Sequence, residues 1–358
     1  MINWSQFTVD NGAIKDLREL MFTSTFEDPD IENVVTKKTG VENGKKLGYI
    51  DRMQEVGRKG TGCKPTYERV TITGIEKTWE LGEWEVPLEL CYQEIEDTIG
   101  KEGLKSGADK ADLQDTPYWD IVLIPLLKKA LIRMYWRLIW FGDTAAENVS
   151  DGGIITDGVK TNLFTATDGL WKRLFALCAA NDAQRTEVTA NQAATVDAQK
   201  QAMKASGYAV QLFDDLLSDA DSRIFDDSKA CIMCTNSMYK ALRNDLVDKY
   251  GKYTMTVKQV AAGIKLTEYD GVDIIVLDIW DRMIKEFEKK TSGGKTSLNL
   301  PHRAVVCSPT NLFAGTEDKD TIASLSMKFD DTDRMNRIFA SSTLGTLLGE
   351  DELFQVAY

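Results

Sequence analysis

The chain has 358 residues, 43% hydrophobic and 28% charged, with a formal net charge of −13. That is enough apolar material for one elaborate domain or two, while so acidic a protein is a poor candidate for wrapping nucleic acid, since affinity for phosphates comes from Lys and Arg. His302 is the only histidine, which removes most zinc sites and the paired-histidine metalloprotease motif.

Residues 1–40 read as an arm with little core of its own. A short amphipathic helix is expected near Asp10 to Met21, with Ile14, Leu17 and Leu20 or Met21 inward. Residues 41–100 read as a long extended hairpin. In its descending part Trp84, Val86, Leu88 and Leu90 alternate with Glu83, Glu85, Pro87 and Glu89, a strand with one sheltered face. Trp79 and Leu81 sit in the opposite parity, so Gly82 is expected to mark a bulge. The arms differ in charge: Lys37 to Arg69 carries nine basic and four acidic residues, net +5, whereas Val70 to Glu102 carries two basic and nine acidic, net −7. Either the hairpin balances its own charge or the arms meet other surfaces.

After a polar connector (101–115) comes the longest apolar-periodic run, Thr116 to Gly142. Thr116 can cap it, Pro117 suits the first helical position, and Gly142 fits the stop. Pro125 should kink the first turns or mark the true start. Leu127, Leu131, Met134, Leu138 and Phe141 fall on one stripe, and Lys129, Arg133 and Arg137 make a basic row four residues apart. Those charges, with Lys128, argue against a membrane span.

A glycine-rich turn region follows. Thr167 or Asp168 should cap a helix from Gly169 to Ala180, with Leu170, Leu174 and Leu177 inward. Further helices are expected near Thr195–Ser206 and Tyr208–Leu217. From Lys229 the pattern becomes α/β. Residues 229–235 form a short apolar strand, Asn236 caps a helix from Ser237 to Tyr250, and Asp270-Gly271 turns a hairpin between Lys265–Glu268 and Val272–Asp278. Residues 291–301 read as a loop, Arg303–Cys307 as a buried strand, and Thr321–Phe329 and Leu353–Tyr358 as two more.

Little in the chain suggests catalysis. Gly294-Lys295-Thr296 resembles the end of a phosphate-binding loop, but Lys289 stands where its first glycine belongs. Cys231 and Cys234 lie three apart on a strand, so their thiols point to opposite faces. The six cysteines are scattered and no secretory signal opens the chain, so free thiols in a reducing compartment are expected. The aspartates between Asp214 and Asp227 lack the order of a calcium loop. His302, with no nucleophile elbow, reads as a loop residue. No catalytic residue, cofactor site or metal site is expected.

The order of segments is the stronger signal. An extended arm, a long hairpin, one long helix and an α/β region with a terminal strand together resemble the major capsid proteins of tailed bacteriophages. This is the Hong Kong 97-type α+β fold, shared with herpesvirus capsids and encapsulins. The hairpin 41–100 resembles that family's E-loop and the 117–141 helix its spine helix. Asp168-Gly169-Leu170-Trp171 resembles the start of a peripheral-domain helix. Residues 230–245, 269–281 and 302–317 resemble its axial-domain strand–helix, hairpin and strand–turn segments.

The resemblance implies an N-terminal arm (1–40), an E-loop (41–100), a peripheral domain (101–225), an axial domain (226–320) and a return to the peripheral domain (321–358). It implies a structural protein, not an enzyme, whose copies build hexamers and pentamers of an icosahedral shell around double-stranded DNA, without sequence-specific binding and without a membrane. Its place would be the virion capsid, assembled in the host cytoplasm. Partners would be a separate scaffolding protein, a portal, and decoration or head-completion proteins. About thirty residues precede the hairpin, too few for a fused scaffolding segment. Arg52, Arg58, Lys59, Lys64 and Arg69 are the expected inter-subunit contacts. The competing readings are an encapsulin-type nanocompartment and an unrecognised α/β enzyme.

Overall fold

The structure, a computed structural model, describes residues 34–53, 56–57, 59, 67, 69–70, 72–91, 124–147, 161–250, 258–261, 264–318, 324–330, 332–333 and 335–358. The expected helix near 10–21, the connector 101–115, the first turns of the long helix (117–123) and residues 321–323 lie outside these.

Four strands come first: β1 (Thr36–Lys38), β2 (Lys46–Met53), β3 (Ile72–Thr78) and β4 (Gly82–Cys91). Helix α1 (Ile124–Phe141), α2 (Leu170–Ala180), β5 (Arg185–Thr186), α3 (Val196–Met203) and α4 (Tyr208–Asp219) follow. Next are β6 (Cys231–Cys234), α5 (Asn236–Tyr250), β7 (Lys258–Ala261), β8 (Ile264–Tyr269), β9 (Val272–Leu277) and α6 (Asp278–Phe287). The chain then runs through β10 (Lys289–Ser292), β11 (Lys295–Leu298), β12 (Ala304–Cys307), β13 (Leu312–Gly315), β14 (Ser324–Asp330), β15 (Met335–Leu348) and β16 (Gln355–Ala357).

A seven-stranded sheet, order β5-β16-β12-β6-β9-β8-β7, organises the second half. Its central strands read CIMC (β6) and AVVC (β12), with all eight residues buried. Such uninterrupted apolar strands need cover on both faces, and they have it. Ile232 and Cys234 face Phe213, Leu216, Met238 and Leu242 of α4 and α5. Cys231 and Met233 face the other way, into a cluster with Trp140, Trp171 and Trp280 of α1, α2 and α6. The pleat thus separates the two thiols as the spacing requires. Cys178, Cys231, Cys234 and Cys307 are free and buried. Burial pushes the Cys231 thiol up to about 12. A thiol so buried and so far from ionising is inert.

A five-stranded sheet joins distant parts of the chain. The long β15 pairs through Met335–Ser341 with β14 on one side, through Met335–Leu344 with β4 on the other, and through Gly345–Leu348 with β13, which pairs in parallel with β1. In β4 Trp84 is buried and Val86 and Leu88 are half-buried, while Glu83, Glu85, Pro87 and Glu89 are exposed, as the alternation requires.

The paired part of the 41–100 segment is therefore shorter than its sequence suggested. β2 pairs with β3, but β4 leaves the hairpin for β15. Gly82 is not a bulge. It is the first residue of β4, and a Cβ there would sit 1.5 Å from the Ala166 carbonyl oxygen. The parity swap is the change from one sheet to another, and glycine is needed for the close approach.

In α1 the expected stripe Leu127, Leu131, Met134, Leu138 and Phe141 is buried, and so are Tyr135, Trp136, Ile139 and Trp140. The helix is a core element on most of its circumference, and Lys129, Ala130 and Arg133 form its exposed strip. α1 ends at Phe141, as Gly142 was expected to make it, although Gly142 is not a left-handed cap: its amide donates to Leu138 O at 3.2 Å, and its carbonyl accepts from the Gly169 amide at 2.8 Å. Asp168 does not cap α2 either, whose N-cap is Gly169. Its carboxylate instead takes bonds from the Thr144 amide and hydroxyl and from Lys172. Asp270 and Gly271 turn β8 into β9 as expected, with φ of 49° and 78°. The loop expected at 291–301 is instead the β10–β11 hairpin, closed by Gly293-Gly294.

Candidate functional site

His302 is the first place to look for chemistry. It lies in the connection before β12, as a loop residue should, but it is buried. Its backbone is held on both sides by Asn191, whose Oδ1 accepts from the His302 amide at 2.9 Å and whose Nδ2 donates to its carbonyl at 2.8 Å. Nδ1 lies 2.8 Å from Ser237 Oγ and Nε2 lies 3.3 Å from Gln199 O. The consistent tautomer has Nε2 donating to the carbonyl and Nδ1 accepting from the serine. Burial pushes the imidazole down to about 4.

A serine–histidine pair beside a pocket of about 80 Å³ has the outline of a nucleophile and its base. It lacks the rest. The amides of Asn236 and Ser237 at the start of α5, beside the pair, both bond Asp281, at 2.6 and 3.3 Å. That carboxylate, from α6, caps α5 in place of the Asn236 side chain expected to do so. The cluster joins α3, α5, α6 and the start of β12. Among the described residues no group of three or more His, Cys, Asp or Glu is placed to hold a metal, and no helix is long and apolar enough to cross a membrane.

The charged surfaces are more informative. At the base of the β2–β3 hairpin, Trp79 is buried with Val41, Phe313 and Leu347. Backbone bonds Gly44 N to Trp79 O and Trp79 N to Lys45 O, both 2.9 Å, close that base. Of the five basic residues expected at an interface, Arg58 and Lys64 lie outside the described residues. Arg52 is on β2. Lys59 and Arg69 are exposed. The acidic arm is partly used within the chain: Glu80 meets Arg173 at 3.3 Å and Glu89 meets Arg337 at 3.1 Å, while Lys77 pairs with Asp351.

The basic row on α1 divides. Arg137 is half-buried; it donates to Leu163 O at 3.0 Å and lies 5.6 Å from the Phe164 ring. Burial pushes its guanidinium down to about 10, and the neighbouring Arg133 charge acts in the same direction. Arg133 pairs with Glu286. Lys129 is exposed. Helical spacing found the row, but it could not show that α6 would supply a partner for Arg133.

Sequence reasoning missed Arg303. It is fully buried and salt-bridged to Glu288, donates to Leu300 O at 2.8 Å and Asn299 O at 2.9 Å, and lies over the Trp171 and Phe175 rings at 5.3 Å each. Burial pushes the Glu288 carboxyl up and the Arg303 guanidinium down, each opposed by the other's charge. This clamp fixes the start of β12 to both ends of the β10–β11 hairpin. Its only sequence signal is an arginine adjoining an apolar strand, which is common at surfaces.

No family model matches the chain, and no curated protein matches it either. Solved structures do. A structure of Gordonia phage Cozz aligns over 91% of this chain and 85% of its own, with 11% identity and a TM-score of 0.52. A capsid structure of an empty GTA particle aligns over 94% of this chain and 89% of its own, with 11% identity and a TM-score of 0.50. The chain thus has an α+β fold of the Hong Kong 97 type along most of its length.

Proposed function

We propose that this chain is a major capsid protein, a structural subunit whose copies assemble into an icosahedral shell of hexamers and pentamers around double-stranded DNA. The observation that carries the reading is the agreement of fold with a capsid over 94% of the chain. Beside it, the start of α5 next to the Ser237–His302 pair has its amides bonded to Asp281. A shell subunit needs no reacting group. It needs a stable body and surfaces that self-associate. The body is the two sheets and the aromatic core between them. The surfaces include the β2–β3 hairpin, where Lys59, Arg69 and the neighbouring Arg52, Arg58 and Lys64 would meet acidic groups of an adjacent copy, with Lys129 adding to the exposed charge.

The domain division belongs to the same proposal, with one refinement. Residues 355–357 pair with β12 and β5, so the last strand is better grouped with the axial unit than with a peripheral return. A scaffolding protein, a portal and decoration proteins would be the further partners, and the virion the location. Negative-stain microscopy of the expressed protein, alone and with its neighbouring genes' products, tests the reading. Closed shells of capsid size support it. Small shells filled with protein would assign a nanocompartment, and a discrete small oligomer under every condition would overturn it.

A further inference from the structure

We propose that the β10–β11 hairpin of one copy docks head-to-tail into an acidic pocket at the opposite end of the seven-stranded sheet of the next copy. The inference deepens the shell reading, on which it rests for the ring that such contacts would close.

Two surfaces of opposite sign lie at opposite ends of one sheet. The hairpin, KKTSGGKTSL, is exposed from Lys289 to Thr296 and carries Lys289, Lys290 and Lys295 with no acidic residue. None of the three forms an ion pair with another described residue. Three exposed lysines on a two-stranded projection contribute nothing to a core, and in a chain of net −13 a patch of pure positive charge stands out. The clamp of Arg303 on Glu288 and Asn299 holds this hairpin firmly beside the start of β12.

The other end of the sheet is set by register. Ala304 of β12 pairs with Cys234, and Cys307 pairs with Cys231, which in turn pairs with Asp273. The hairpin is therefore at the Ala304–Cys234 end. The Asp270-Gly271 turn lies past the Cys231–Asp273 end, about 10 Å further along the strands at the usual rise. There an open pocket of about 470 Å³ is lined by Leu217, Phe225, Asp227, Ser228, Asp270 and Val272, among others. Asp226, Glu268 and Asp273 stand within two residues of its lining and are exposed, as is the oppositely charged Lys229. Asp227 is occupied by Ser308 and Thr310 hydroxyls and the Lys229 amide. Asp226, Glu268, Asp270 and Asp273 form no ion pair with another described residue.

A knob of one sign and a pocket of the other, on opposite ends of a rigid unit, cannot satisfy each other within one chain. Between copies they form a heterologous contact, which propagates and closes into a ring when the rotation permits. Complementary charge would fix the register and speed the encounter.

Charge exchange tests the contact. Lys289→Glu/Lys290→Glu/Lys295→Glu and, separately, Asp226→Lys/Glu268→Lys/Asp273→Lys are each expected to fold with the wild-type circular dichroism spectrum. Each should raise the protein concentration needed for assembly at least about tenfold at low salt, three weak pairs being lost and reversed. Combining the two sets should restore assembly. A hairpin variant that assembles at the wild-type concentration overturns the proposal. So does one that assembles normally but retains less DNA, which would assign the hairpin to nucleic acid.

A second measurement keeps the contact testable even if the wild type builds no particle, the outcome that defeats the shell reading alone. A Lys295→Cys chain mixed with a Ser228→Cys chain under mild oxidation should give a mixed disulfide that neither chain gives by itself. Its absence contradicts the contact.

Discussion

The two hairpins that stand outside the main sheets are held at their bases by different physics. The β2–β3 base is plugged by Trp79 among Val41, Phe313 and Leu347, with ion pairs such as Lys77–Asp351 around it where water reaches. The β10–β11 base is held by a dry ion pair, Arg303–Glu288, under a roof of aromatic rings. An apolar plug tolerates small shifts, because its attraction is non-directional. A buried guanidinium does not, because its bonds to Glu288, Asn299 and Leu300 are directional and hold a charge that water cannot reach. The second base therefore fixes direction, which suits a projection that must meet a particular pocket.

The largest expected effect comes from breaking the dry clamp. Glu288→Gln leaves the Arg303 charge buried and uncompensated, and should cost about 3–5 kcal/mol of unfolding free energy. Replacing both partners, Arg303→Met with Glu288→Leu, should cost less than the single change. Urea denaturation of the three proteins checks this; a single variant as stable as the wild type would show that the pair is not the anchor.

Next in size is a pH effect at the neighbouring junction. His302 is held neutral, its folded pKa depressed to about 4 from an ordinary 6.5. Below pH 6.5 the unfolded chain takes up the proton first. Stability is therefore present above that pH and lost as pH falls through the folded value, by about 3 kcal/mol in all. Asp281, Lys200 and Lys285 line the same pocket, and burial pushes the Asp281 carboxyl up. The comparison is consequently between wild type and His302→Gln: their stability curves should diverge between pH 6.5 and 4, and parallel curves would refute the assignment.

The smallest effect belongs to the wet base. Lys77→Met removes a pair whose aspartate is 42% exposed and should shift stability by at most about 1 kcal/mol. A loss as large as that of Glu288→Gln would erase the distinction between the two bases.

What the sequence made legible was local. Alternation placed the faces of β4, helical spacing placed the buried stripe of α1, and Asp270-Gly271 placed a turn. What it hid was supplied from far along the chain. The 289–298 hairpin has no apolar alternation, so it read as a loop. Asn236 looked like a cap because Asp281, which does the capping, is 45 residues away. His302 read as a loop residue, which it is, but its burial was hidden because Asn191, Gln199 and Ser237, which bond it, come from other segments. Gly142 read correctly as the stop of α1, but Gly82 read as a bulge because a close backbone approach leaves no trace beyond the glycine itself. The proposed interface was the least legible: charge counts showed that the arms of 41–100 differ, but not that Glu80 and Glu89 would find partners within their own chain.

The most direct test of the central claim is the mass of the assembled protein. Charge-detection mass spectrometry of the particles formed by the 40.1 kDa chain should give a closed assembly of many subunits, built from five- and six-membered rings and dissociating into them. A single small oligomer, unchanged with concentration, salt and partner proteins, would contradict the account.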